Sequence, residues 1–327
     1  MKKLMYVLLM LLMVFCFVTY VSAKAEFVIK ASLDNGPTEP GPRSFEHFKK
    51  VVEEKSNGRI EVQIFCAGAL GGERDVLEGL QLGTVEICIP SNAILTNFVP
   101  SMNIFELPFL WKSREHMYAV LDSEIGMGFT EELAKNGFVL LGYFDIGLRN
   151  VLTTKKVINS MADLKGLKIR TMENPAHVGA FKAFGASPLP LAYGEVYTAM
   201  ETGVIDGMEA ANSNYYAKKF YEVAPNYAIV GWIRLVGPML MSKIMYDKMP
   251  PDLQKLVSDA AKETAKIERE LYEETCQETL GLLIKEGVNV TYPDLGPFRE
   301  ASKVVYDEWA DKVGGREKID EVINFKY

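Results

Sequence analysis

Histidine is scarce in this chain: three residues in 327, at positions 47, 116 and 177, with no spacing that sets two of them together as metal ligands. Each reads as a surface or hydrogen-bonded core side chain. Cysteine is nearly as rare, and of the four, Cys16 falls inside an N-terminal apolar run while Cys66, Cys88 and Cys276 have no paired spacing. That argues against a metal cluster or a disulfide framework and leaves three small hydrophobes expected in the interior. Catalytic signatures are missing too, with no Walker loop, no dinucleotide fingerprint after a strand, no His-Glu-x-x-His and no nucleophile elbow. Gly68-Ala-Leu-Gly-Gly-Glu73 lacks the Lys and Ser/Thr of a phosphate loop and reads as a tight helix entry. No catalytic residue, metal or cofactor is therefore assigned. Basic blocks are absent and the formal net charge is -7, so nucleic acid is excluded as a partner.

Only one apolar run approaches the length of a membrane span, from Leu4 to Val21. It follows Met-Lys-Lys and closes at Val21-Ser-Ala23, which predicts a signal peptide over residues 1–23 and release into the periplasm. An uncleaved anchor is the alternative reading. Val14 and Phe15 are too bulky for a lipid-attachment box at Cys16. Loss of Lys2 and Lys3 moves the net charge by two, from -7 to -9. The remainder is long enough for one large or two moderate domains.

Phe27–Leu33, Arg59–Phe65 and Val85–Ile89 read as strands, separated by helices around Phe45–Val52 and Val76–Leu80. This alternation predicts a mostly parallel sheet with helices on its faces. Asn92–Leu110 is too broken by Pro for a regular helix and too apolar for a solvated loop, so it is expected to line a pocket or cover a core. Phe138–Gly142 is a buried strand candidate. Further on, Leu167–Thr171 reads as a strand, Pro175–Phe184 as a helix, Ser187–Pro190 as a connection and Glu195–Glu201 as a helix. Met200-Glu-Thr-Gly-Val-Ile-Asp206 then looks like a second copy of Leu80-Gln-Leu-Gly-Thr-Val-Glu86, with chance similarity an equal reading. Apolar spacing over Asp252–Ile284 predicts a helix of about 45 Å, long enough to brace two lobes.

Two arginines stand in suggestive places. Arg149 follows Gly147-Leu, and Arg170 ends an apolar strand, where open α/β sheets place their ligand crevice. A guanidinium there matches a carboxylate with two parallel hydrogen bonds, although an ordinary salt bridge is the commoner use of such an Arg.

Ile158-Asn-Ser-Met-Ala-Asp-Leu-Lys-Gly-Leu-Lys-Ile-Arg170, with Gly147-Leu-Arg149 before it and Gly203-Val-Ile-Asp-Gly-Met-Glu209 after it, resembles the solute-binding proteins of TRAP (tripartite ATP-independent periplasmic) transporters, the DctP family. Gly58-Arg-Ile-Glu-Val, Leu70-Gly-Gly-Glu, Leu107-Pro-Phe109, Tyr221-Glu-Val and Met249-Pro support the likeness, in the family's order. The resemblance implies an α/β, two-lobed periplasmic binding protein fold, each lobe a mostly parallel sheet flanked by helices, with a long helix bridging them. Lobe 1 is expected over 24–146 plus about 236–275, and lobe 2 over 147–235 plus about 276–327. It further implies a non-enzymatic receptor that closes on a small carboxylate, a keto, hydroxy, aromatic or sugar acid. The receptor would deliver this acid to the small and large membrane subunits of an ion-gradient-driven transporter.

By the same resemblance Arg170 holds the ligand carboxylate, Arg149 adds a direct or water-mediated contact, and Glu73, Ser91 and Asn92 lie in the cleft. One family contact fails, because the Asn of Asp-Gly-x-Glu-Asn is Ala210 here. Asn212 is the candidate substitute, against the commoner reading of a solvated loop amide. Trp232 stands where relatives with sugar-acid ligands often carry His, and an indole there either stacks on a ligand or packs in the core. Together Ala210 and Trp232 predict a less polar pocket. A receptor for an ATP-driven importer or a chemosensor, and an exported enzyme, are the rival readings.

Overall fold

In the computed structural model, which describes residues 24–327, one nine-stranded sheet runs through both lobes in the order β2-β1-β3-β8-β4-β7-β5-β6, with β9 (Asn289–Thr291) pairing β8. The signal-peptide expectation lies outside the described residues. The first lobe holds parallel β1 (Phe27–Ser32), β2 (Ile60–Phe65) and β3 (Ile87–Cys88), and the second holds parallel β5 (Lys168–Thr171), β6 (Ser187–Pro190) and β7 (Gly207–Ala210). Two long antiparallel strands, β4 (Phe138–Thr153) and β8 (Asn226–Ser242), pass between the two sets. The lobes are therefore joined by continuous backbone hydrogen bonding as well as by chain connections.

The two strand sets are built alike. Helix α1 (Pro40–Lys55) follows β1, and α2 (Glu73–Leu82) leads into β3; in the second lobe α3 (Pro175–Ala183) follows β5 and α4 (Val196–Glu201) leads into β7. Gly83 and Gly203 both turn the chain in the left-handed region, at φ 72° and 75°. Three residues later, Glu86 accepts the Lys30 N–H at 2.8 Å, and Asp206 accepts the Lys168 N–H at 2.8 Å. Each acid thus closes on the backbone of the neighbouring parallel strand, so the sequence likeness corresponds to a repeated structural unit.

Helix α6 (Pro251–Lys285) spans 35 residues and ties the lobes together. Its Leu253, Val257 and Ala260 pack into the core under β1 and β2, while Leu283 enters the core around β7. Between these ends it is pinned to β4. Glu268 accepts the Asp145 N–H at 3.0 Å, Arg269 donates to the Tyr143 carbonyl, and the Tyr272 hydroxyl donates to the Ile146 carbonyl at 3.1 Å.

Several elements differ from the sequence expectations. The strand foreseen at Phe138–Gly142 continues to Thr153, and Ser187–Pro190 is an edge strand, where two prolines are tolerated because one side needs no N–H donor. The third strand shortens to Ile87–Cys88. Asn92–Leu110 forms a four-residue helix and a 3-10 turn whose Leu95, Met102 and Phe105 are buried in the largest core. Cys88 is buried, whereas Cys66 and Cys276 are only half-buried.

Candidate functional site

A cavity of about 420 Å³ opens between the lobes, at the carboxyl ends of the parallel strands. Asp34 and Asn35 reach it from the loop after β1, Glu73 from the start of α2, and Ser91 from the turn after β3. The opposite wall carries Arg149 of β4, Arg170 of β5, Tyr193 after β6, and Asn214 with Lys218 from α5 (Asn212–Ala217) and its cap.

The backbone aims Arg149. Gly147 stands at φ 96° where the register of β4 against β8 slips, and a Cβ there would overlap the Tyr272 hydroxyl. Each nitrogen of the guanidinium beyond it has a partner. Nε donates to Glu209 Oε2 at 2.5 Å, Nη2 to the Glu209 carbonyl at 3.0 Å, and Nη1 to Asn214 Oδ1 at 3.2 Å. Burial works against its charge, and the Glu209 carboxylate more than restores it.

Arg170 is held differently. It is 2% exposed, and Nε donates to the Leu191 carbonyl at 2.8 Å. Its Nη1 stands 3.7 Å from Glu209 Oε1 and has no hydrogen-bond partner. Burial lowers the pKa of this guanidinium, and the adjacent Arg149 charge lowers it further. Two buried guanidiniums thus share one buried carboxylate, leaving a positive charge on a side chain that lines the cavity. Buried charged donors are rarely left unpaired, because the desolvation cost is not returned.

The facing wall is acidic. Glu73 accepts the Ser91 N–H at 2.9 Å and the Ser91 hydroxyl at 2.8 Å. Burial, with the like charge of Asp34, pushes the Glu73 carboxyl up to about 7. A carboxyl shifted this way favours the fold in its protonated form, so its contribution is fully present below pH 4.5 and is lost as pH rises towards 7. Melting temperatures of Glu73→Gln and the parent should therefore diverge across that window, with the parent losing more stability than the variant. Parallel curves would contradict this placement of Glu73.

Of the residues named from the sequence, Arg149, Arg170, Glu73 and Ser91 line the cavity together. Asn92, Asn212 and Trp232 do not. Asn92 Nδ2 donates into the core, to Glu106 Oε1 at 2.7 Å and the Met102 carbonyl at 3.1 Å. Asn212 turns towards α6 and β8, donating to the Cys276 carbonyl at 3.2 Å and accepting from the Tyr227 hydroxyl at 2.7 Å. Trp232 is fully buried, its ring 4.8 Å from His177 and 5.1 Å from Phe181 of α3. Ala210 is buried in the core around β7. Neither Ala210 nor Trp232 lines the cavity, so these two residues do not set its polarity.

Sequence reasoning missed Tyr193, Asn214, Lys218 and Asp34. The buried Tyr193 hydroxyl has no partner, and its ring lies 5.9 Å from the Arg170 guanidinium carbon and 5.4 Å from Lys218 Nζ. Its position just past the end of β6 was the available signal, hidden because that strand looked like a connection.

The sequence model of bacterial extracellular solute-binding protein family 7 matches residues 34–312. A solute-binding protein of Verminephrobacter eiseniae is 35% identical over 269 residues, 82% of this chain and 80% of the relative. Among solved structures, a TRAP periplasmic solute-binding protein from Sulfitobacter sp. NAS-14.1 with bound β-D-galacturonate superimposes with TM-score 0.86 at 31% identity, covering 91% of this chain and 98% of that one. Another from Sulfurospirillum deleyianum with bound succinate gives TM-score 0.88 at 32% identity, covering 92% and 100%.

Proposed function

The chain belongs to bacterial extracellular solute-binding protein family 7, and on that premise we propose a receptor that holds a small hydroxylated monocarboxylate between its lobes. The observation that carries this is the buried Arg170 fork on the cavity wall, whose Nη1 has no hydrogen-bond partner. A carboxylate there receives two N–H bonds and balances the charge left by two arginines on one Glu209. Arg149, with each guanidinium nitrogen bonded to Glu209 or Asn214, orients this arrangement and reaches the ligand through its remaining Nη1 N–H or through water.

Beyond the carboxylate, Asp34 and Glu73 offer acceptor oxygens, and Tyr193 an unused hydroxyl. Ligand hydroxyl groups satisfy those acceptors, whereas a second carboxylate would meet two acids. The reading therefore places a sugar acid or other hydroxy acid ahead of a dicarboxylate.

The bound acid is returned unchanged and passed to the small and large membrane subunits of a TRAP transporter, driven by an ion gradient. Membership of a receptor family supports the absence of turnover, and relatives named as periplasmic support that location. The lobes proposed are 24–146 plus about 236–275, and 147–235 plus about 276–327, with β4, β8 and α6 as the hinge.

Thermal-shift titration with D-galacturonate, D-erythronate, 2-keto acids, aromatic acids and succinate tests the ligand class. Hydroxy acids should raise the melting temperature most, and magnetic resonance of the recovered acid should show no conversion. A product peak would mean an enzyme. Uptake by proteoliposomes carrying the membrane subunits should require a sodium gradient, and dependence on ATP instead would place the protein with another importer class.

A further inference from the structure

One side chain bonds to both lobes at the floor of the cleft. Asn214 is 6% exposed, accepts from Arg149 Nη1 through Oδ1 at 3.2 Å, and donates from Nδ2 to Glu39 Oε2 at 2.7 Å. Glu39 belongs to the other wall. It precedes α1, is 3% exposed, accepts the Gly36 N–H at 2.7 Å on its second oxygen, and receives Asn35 Nδ2 at 3.1 Å. Asn35 itself lines the cavity. A continuous buried path therefore runs from the β1 loop through Glu39, Asn214, Arg149 and Glu209 to the guanidinium of Arg170, whose Nη1 is unpaired.

We infer that Asn214 is a positioning residue that couples approach of the lobes to the aim of the arginine pair. An amide can serve this way because it donates at one end and accepts at the other, so Glu39 and Arg149 are satisfied only when its plane is fixed between them. Fixing the amide holds Arg149 against Glu209, and Glu209 so held leaves Arg170 free to receive a carboxylate. Opening the lobes withdraws Glu39, releases the amide and loosens the acceptor that locks Arg149. Ligand release is the step this contact governs. The inference rests on the carboxylate reading above and adds to it the residue that reports closure to the anchor.

Reversing the polarity of the bond tests the coupling. Asn214→Asp keeps an acceptor for Arg149 but sets a carboxylate against Glu39. Adding Glu39→Gln supplies an amide that donates to the new carboxylate while its oxygen still accepts from Gly36, and the Asn35 amide, which donates to the oxygen so replaced, turns over to present its own oxygen. With D-galacturonate as the probe at pH 8, and D-erythronate as a second, Asn214→Asp should dissociate about tenfold or more faster, with little change in association rate. The double variant should return to within about threefold of the parent. X-ray scattering at saturating probe should show compaction lost in the single variant and regained in the double. A merely structural Asn214 would lower the melting temperature while leaving dissociation and compaction at parent values, and that result overturns the inference. So does a double variant no better than Asn214→Asp alone. Arg170→Ala, run alongside, separates the two claims: if it binds the probe as tightly as the parent, the carboxylate reading itself has failed.

Discussion

Arg170→Ala should bind its acid at least about a hundredfold more weakly than the parent, because removing one partner of a buried charge pair costs roughly 3 to 5 kcal/mol. Titration calorimetry with a hydroxy acid measures the loss directly. Arg170→Lys should fall between the two, since an ammonium keeps the charge but cannot reproduce the planar fork. The same substitution should do little harm to the empty protein. Arg170 Nη1 is unpaired without ligand and Glu209 is already held by Arg149, so truncation relieves an unmet buried donor while losing some packing. Near-parent melting combined with lost binding is the signature of a ligand anchor. Equal losses of both would instead mark a structural ion pair.

Glu209→Ala is expected to show the opposite pattern. Glu209 is fully buried and is the carboxylate between two buried guanidiniums, bonded to Arg149 at 2.5 Å and standing 3.7 Å from Arg170. Without it two like charges face each other out of water. Each already shows the cost of burial, and the proximity of Arg149 opposes the charge on Arg170. The change should destabilise the empty protein by roughly 3 to 5 kcal/mol, a large share of the 5 to 15 kcal/mol typical of a folded protein. In a chain of this size that corresponds to a melting temperature lower by roughly 5 to 8 °C. Calorimetric melting of parent, Glu209→Ala and Arg170→Ala side by side decides the matter, since similar melting for all three would show that Glu209 does not hold the arginines together.

The features legible in the sequence are those carried by short local patterns. Gly83 and Gly203, each followed three residues later by an acid, pointed to a repeated corner, and the structure gives both acids the same backbone bond. Apolar spacing found the long helix to within a residue at each end. Arg149, Arg170, Glu73 and Ser91, named through family likeness, lie on one cavity.

Features that depended on orientation were hidden. Asn212 and Asn214 are two residues apart on a short helix, so about 200° of rotation separates them and only one faces the cleft. No propensity distinguishes the two when the first helical residue is uncertain by one or two positions. Trp232 lies on β8, where alternate side chains face opposite sides, and its side packs on α3. β8 went unread because Gly231, Gly237 and Pro238 interrupt it, although β4 pairs along nearly its whole length. Asp34, Tyr193 and Lys218 sit just beyond regular elements, where function concentrates and local pattern is weakest.

The central claim is that a carboxylate charge, met by Arg170, is what the cleft recognises. It is tested most directly from the ligand side, by titrating the parent protein with D-galacturonate and with its uncharged primary amide. The two differ only at the group that faces Arg170, so every hydroxyl contact is retained. The acid should bind at least about a hundredfold more tightly than the amide, and Arg170→Ala should abolish the difference. An amide that binds the parent as tightly as the acid would contradict that claim.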